Sequence, residues 1–299
     1  MTNYRRLITI VLAFALCAGA AYAVDVSGQK KFLNDVEYGK AAGKPLLLDL
    51  VLPKESANTF RPVVVWIHGG GWRAGNKSNN MAAWLADHGY VVASINYRLS
   101  NEAKFPAQIY DCKAAIRFLR AHSKQYRIDP YRIGVWGSSA GGHLSALLGT
   151  SGGLKELEGD SGSPGYSSRV QAVCDFFGPA DLTVLGGARI SRNPIVQLLG
   201  GPVSANMQLA KLASPVTHIT YDDPPILIFH GEDDNLVPIK QSEIFYKALK
   251  NAGVDATFVR VKNGGHGFPP TGTEPTLEQI KSTVLRFFDK HLKPTALKR

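Results

Sequence analysis

The run Val63-Val64-Val65-Trp66-Ile67 offers no polar side to either face of a strand, so a chain extended here must bury both faces. That is the condition of a strand inside a mainly parallel sheet covered by helices on both sides. Similar apolar runs recur at Val91 to Asn96, Arg132 to Trp136, Val170 to Phe176, Ile226 to Phe229 and Ala256 to Val261. Leu46 to Leu52, after a Gly43-Lys44-Pro45 turn, adds a strand of alternating character. Between these runs the period of the apolar residues changes. Ile109, Cys112, Ala115, Ile116 and Leu119 recur at helical spacing, and a helix is expected over Pro106 to His122, opened by its proline. Met81 to Asp87, Ala140 to Leu148, Lys240 to Ala252 and Leu277 to His291 read as further helices. Strand and helix alternating in this way predict an α/β fold built on a mostly parallel sheet with helices on both faces.

Two stretches stand outside the alternation. Ser151 to Ser168 is rich in Gly and Ser and reads as an exposed loop, whereas residues 181–220 carry short helical pieces between two core strands. The second has the length of a small cap-like insertion over a site, and connections of that length are commonly functional. No repeat or Pro-rich linker divides the chain, so residues 24–299 are expected to form one catalytic domain.

Residues 1–23 read differently. Arg5 and Arg6 precede an apolar run from Leu7 to Ala18, and Ala21-Tyr22-Ala23 supplies an A-x-A arrangement. This is the three-part pattern of a secretory signal peptide, with cleavage expected before Val24 and a secreted or periplasmic product. The run is shorter than the roughly 20 apolar residues needed to span a bilayer, so no stable membrane insertion is expected after cleavage. Lipidation at Cys17 is the weaker reading, because the bulky Leu16 precedes it. Loss of the leader leaves Cys112 and Cys174, which either pair or stay as two buried thiols; their Cα separation decides. The net charge of +10 is scattered and accompanied by no recognition motif, which argues against nucleic acid as a partner.

The chemistry is carried by short glycine-rich motifs. Gly137-Ser138-Ser139-Ala140-Gly141 follows a predicted strand and precedes a helix of small residues. A serine on such a turn exposes its hydroxyl, and the N–H of Ala140 points from a helix N-terminus toward a reacting carbonyl. His68-Gly69-Gly70-Gly71-Trp72 follows another strand, and its consecutive glycines let backbone amides approach a developing negative charge. Gly70, Gly71 and Ala140 are therefore the expected oxyanion donors. A serine needs a base. His266, in the glycine-padded loop Asn263-Gly264-Gly265-His266-Gly267, is preferred over His230, while His143, one turn past Ser139, is expected to face helix packing. The orienting acid falls among Glu232, Asp233 and Asp234, which lie in chain order between Ser139 and His266.

These motifs, with Asn96-Tyr97-Arg98-Leu99, Gly178-Pro179-Ala180-Asp181-Leu182 and His230-Gly231-Glu232-Asp233-Asp234-Asn235-Leu236-Val237-Pro238, resemble the α/β-hydrolase esterases related to hormone-sensitive lipase. The likeness is closer to the bacterial feruloyl and acetylxylan esterase-like group, and it extends over nearly all of residues 24–299. It implies the α/β-hydrolase fold, a Ser139–Asp234–His266 triad and hydrolysis of short-chain or polysaccharide-linked acetyl or feruloyl esters, with no metal or cofactor. Trp72, where many lipase-like relatives carry alanine or phenylalanine, and Asp181, at the start of the insertion, are expected at the substrate pocket. Two other readings are a prolyl-oligopeptidase-like peptidase, disfavoured because no propeller domain fits in the chain, and a non-catalytic binding protein on the same fold. A subunit of a wall-degrading assembly would need a docking or carbohydrate-binding module, and none is visible.

Overall fold

The computed structural model describes residues 30–54, 59–185, 193–269 and 271–293. The leader, its cleavage site and Cys17 lie outside the described residues. Eight strands form one sheet: β1 (Lys31–Ala41), β2 (Lys44–Leu52), β3 (Arg61–Ile67), β4 (Val91–Ile95), β5 (Ile128–Ser138), β6 (Ala172–Phe176), β7 (Ile226–Gly231) and β8 (Ala256–Val261). Their spatial order is β1-β2-β4-β3-β5-β6-β7-β8. β1 and β2 pair antiparallel, as do β2 and β4, and all later neighbours are parallel. This is the α/β-hydrolase architecture that the resemblance implied.

Among the described residues seven α-helices connect and cover the sheet: α1 (Ala107–Ala121), α2 (Ser123–Tyr126), α3 (Ala140–Thr150), α4 (Pro194–Leu199), α5 (Met207–Leu212), α6 (Lys240–Asn251) and α7 (Leu277–Leu292). The doubly buried strands divide their side chains between two cores. Val63, Val65 and Ile67 of β3 meet Ile109, Ile116, Leu144, Leu147 and Phe245 from α1, α3 and α6. Val64 and Trp66 point the other way, to Leu85 and to Ile280, Val284 and Phe288 of α7. Alternate residues of a strand take opposite faces, so an all-apolar run supplies both cores at once. Thr276 starts α7 with a capping box to Gln279, satisfying amides that the first turn leaves without partners. Among the described residues no helix is long and apolar enough to cross a membrane.

The fold departs from the sequence-based expectation in its details and decides one question left open. β1 is an added edge strand; its bulges between Leu33 and Val36 and between Glu37 and Gly39, and its half-polar composition, hide any clean alternation. The segment expected to be helical from Met81 forms a 3₁₀ turn over Ala83–His88, closed by Gly89 at φ 85°. The stretch from Ser151 to Ser168 is the largely exposed loop expected, but it is pinned to the body of the fold. Leu157 is fully buried, and Glu158 takes Lys113 Nζ at 2.8 Å and Arg117 Nη1 at 3.0 Å, fastening the stretch to α1. Finally, Cys112 and Cys174 are both free thiols. Cys112 belongs to the core on one face of the sheet and Cys174 to the core on the other, so the sheet itself separates them.

Candidate active site

The candidate residues converge at the C-terminal ends of the parallel strands, where α/β sheets hold their ligands. Ser139 immediately follows β5 and caps α3 with φ 55° and ψ −120°, a strained backbone for a side chain with a Cβ. Its amide is held by the carbonyl of Phe176 at 2.8 Å, which ties the turn to the end of β6. The turn is tight enough to dictate its glycines. A Cβ on Gly141 would stand 2.0 Å from the carbonyl oxygen of Ile67, and one on Gly137 would stand 2.3 Å from that of Gly141.

His266 arrives on the loop after β8 and is fixed on both sides. Its Nε2 lies 2.9 Å from Ser139 Oγ and its Nδ1 lies 2.7 Å from Asp234 Oδ2. Phe177, at φ 44°, packs its ring against His266 with centroids 4.8 Å apart. Asp234 settles the choice among the three adjacent acids by geometry. It is the one bonded to His266, while Glu232 turns outward to Arg260 at 2.9 Å. Burial by itself would raise the Asp234 carboxyl. Hydrogen bonds from His230, His266 and the amides of Val237 and Leu236 outweigh that and hold it well below the usual carboxylate range. Asp234 thus stays ionised, able to orient and stabilise an imidazolium.

His230, the alternative base, is wholly buried and reaches no serine of the turn. Its Nε2 lies 3.2 Å from Asp234 Oδ2 and 2.8 Å from the carbonyl of Val237, and its Nδ1 lies 2.7 Å from Ser242 Oγ. Both partners of Nε2 are acceptors, so Nε2 carries a proton and donates to the acid.

The His68–Trp72 loop lies directly against the serine turn. A Cβ on Gly69 would stand 3.4 Å from Ser139 Cβ. Gly70 and Gly71 take φ 107° and 60°. Their amides and that of Ala140 donate to no acceptor among the described residues, whereas the Gly70 carbonyl is turned back to accept from Ala74 at 3.1 Å. Beneath the loop the His68 ring stacks on Tyr97 with centroids 4.4 Å apart, and burial lowers its basicity.

These groups open on a cleft of about 1090 Å³. Gly70, Gly71, Trp72, Ser139, Ala140 and His266 all line it. Asp181 does not. Its carboxylate is turned into its own backbone, accepting from the amide and hydroxyl of Thr183 at 3.0 and 2.5 Å as a helix cap, and it is no pocket residue. Pro194 and Ile195 line it from the insertion expected over the site, whereas sequence reasoning did not single out Phe177 or the Asn235–Val237 segment, which line it too. The last of these was within reach, since the three residues directly follow the acid. Among the described residues no group of three His, Cys, Asp or Glu side chains is placed to share a metal ion.

Known proteins of similar sequence and shape place the chain in a family. The BD-FAE family model matches residues 48–249. The "Probable carboxylic ester hydrolase LipM" of Mycobacterium tuberculosis is 36% identical over 227 residues, covering 73% of this chain and 51% of its own. The chain spans about half the length of the curated relatives it matches. Among solved structures, a bifunctional GH43-CE protein of Bacteroides eggerthii superimposes with TM-score 0.77 at 37% identity, over 87% of this chain and 38% of that one. A truncated carbohydrate esterase from gut microbiota does so with TM-score 0.75 at 36% identity, over 87% and 95%. With a family model matching more than half of its residues, from β2 to α6, the chain belongs to the BD-FAE family of α/β-hydrolases.

Proposed function

We propose that this protein is a serine carboxylesterase, with Ser139 as nucleophile, His266 as base and Asp234 as orienting acid. One observation carries the reading: the continuous chain Ser139 Oγ–His266 Nε2 at 2.9 Å and His266 Nδ1–Asp234 Oδ2 at 2.7 Å, open to the cleft beside three backbone donors. His266 takes the proton of Ser139 as the serine oxygen attacks the ester carbonyl. The amides of Gly70, Gly71 and Ala140 meet the oxyanion, and removing one such donor costs about 10²–10³ in rate. The alcohol leaves with the proton from His266. Water, deprotonated by the same ring, then releases the acid from Ser139.

The substrates we infer are esters of short acyl groups or of acetyl and feruloyl groups on polysaccharide. The carbohydrate esterases among the similar structures support that choice, as does a cleft lined by both asparagine and apolar side chains. Export is part of the same reading and rests on the residue pattern of positions 1–23 alone. The test is hydrolysis of p-nitrophenyl esters from acetate upward, beside Ser139→Ala, followed by acetylated and feruloylated xylan. Turnover that falls with acyl length and vanishes in the variant supports the proposal. Equal turnover in the variant refutes it. Mass spectrometry of the exported protein should find Val24 at its N-terminus.

A further inference from the structure

The reading of the site as a serine esterase leaves one buried ring unused. His143 is 0% exposed and sits one helical turn beyond Ser139, its amide bonded to the Ser139 carbonyl at 2.9 Å. Its Nε2 lies 2.7 Å from the carbonyl oxygen of Ala213, just past α5 in the insertion, and its Nδ1 lies 3.1 Å from Trp72 Nε1. A carbonyl only accepts and an indole N–H only donates. The two partners therefore fix one state of the ring: neutral, protonated on Nε2, with Nδ1 bare. Burial pushes its pKa down to about 4, which keeps that state at neutral pH.

Trp72 needs such a partner. It follows the two glycines of the oxyanion loop and itself takes φ 56°, a backbone conformation costly for a large L side chain. Two bonds hold it there: its carbonyl accepts from Ser100 at 2.7 Å, and its indole donates to His143. The indole is 3% exposed and meets the His143 ring edge-on with centroids 5.1 Å apart. His143 thereby joins three segments that the chain delivers separately: the oxyanion loop, the helix behind the nucleophile and the insertion.

We propose that His143 is a positioning residue, which through Trp72 holds the Gly70 and Gly71 amides where the oxyanion of the transition state forms. This rests on the esterase reading above. It acts on no substrate atom and does not line the cleft, so its effect should fall on transition-state binding and leave ground-state binding alone.

The experiment compares His143→Phe, which keeps a ring but loses both polar partners, with His143→Gln, which retains an acceptor and a donor. Trp72→Phe removes the indole N–H from the other side. The readouts are kcat and KM for p-nitrophenyl acetate, normalised by titration of reactive serine, and inhibition by an alkyl boronic acid that mimics the tetrahedral state. His143→Phe should lower kcat and boronate affinity together by about 10- to 100-fold, with KM within about twofold. His143→Gln should recover most of the loss, and the double variant with Trp72→Phe should lose no more than His143→Phe alone. Unchanged kcat in folded His143→Phe, or losses that multiply in the double variant, overturn the proposal. If His143→Phe does not fold, Trp72→Phe decides alone by the same kcat and boronate losses. Ser139→Ala run in parallel separates the two levels. Activity surviving in it refutes the esterase reading, whereas an inactive Ser139→Ala beside a fully active His143→Phe refutes only the role of His143.

Discussion

His230 Nε2 lies 3.2 Å from Asp234 Oδ2, the same oxygen that His266 Nδ1 approaches to 2.7 Å. The acid of the site is thus gripped by two imidazoles, one facing the cleft and one sealed in the sheet. The buried ring fixes the carboxylate in the rotamer that His266 requires. His230→Phe should lower kcat about 10- to 100-fold, matching the 1.5–3 kcal/mol typical of a hydrogen bond to a charged group. Steady-state kinetics on p-nitrophenyl acetate would measure it, and an unchanged kcat would show that the backbone amides of Leu236 and Val237 hold Asp234 unaided.

The glycines of the His68–Trp72 loop should differ in tolerance. A Cβ on Gly70 would stand 2.1 Å from the Ala74 carbonyl oxygen, a backbone atom, at φ 107°. On Gly71 it would stand 3.2 Å from Pro194 Cβ at φ 60°. Gly70→Ala is therefore expected to lose about 10²–10³ in kcat, as when an oxyanion donor is removed, and Gly71→Ala less. The reverse order in measured kcat would contradict this account of the loop.

Asp175, beneath the site on β6, should impose a pH dependence on stability. Burial lifts its carboxyl to about 6 against the partial relief given by the Gly178 amide and His230. Between the ordinary value of 3.8 and about 6 the folded chain holds a proton that the unfolded chain has released. The stabilisation is full below the lower value and lost as pH rises through the upper one, which costs about 3 kcal/mol at pH 8. His143 works oppositely, losing stabilisation as pH falls from 6.5 through about 4. Asp175→Asn keeps an acceptor for Gly178 and removes the buried charge, so it should raise Tm at pH 8 and about half as much at pH 5. Equal shifts at both pH values in thermal melts would sink the idea.

Glu158 is the shared counter-charge of two buried cations, Lys113 at 0% and Arg117 at 2% exposure. Removing it strands both in the core of α1. Glu158→Gln should cost about 3 kcal/mol, because a broken buried pair leaves an uncompensated charge. A fall of several degrees in Tm with kcat preserved is the expected result, since the clamp lies away from the cleft. A Tm within one degree of the parent would mean that the Gln amide and water satisfy both cations.

The parts of this fold that were legible in the sequence are those whose local pattern admits one solution. A strand with no polar face, such as Val63 to Ile67, can only be interior, and a serine between Gly137 and Gly141 can only sit on a sharp turn. Residues whose role depends on a distant partner were harder to read. β1 alternates imperfectly because its bulges are set by pairing with β2. Asp181 looks like a pocket acid until its carboxylate is seen capping Thr183. Glu158 looks like a loop residue until α1 is placed beneath it. His143 reads as a packing residue because its bond to Trp72 spans 71 residues and no periodicity announces it.

The two buried thiols carry one last implication. Cys112 and Cys174 face opposite sides of the same sheet, so no rearrangement short of unfolding brings one sulfur to the other. Among the described residues the fold therefore gives a reductant no disulfide to break. Its burial-raised thiols stay protonated and unreactive. Production in a reducing cytosol and in an oxidising one should therefore yield the same molecule.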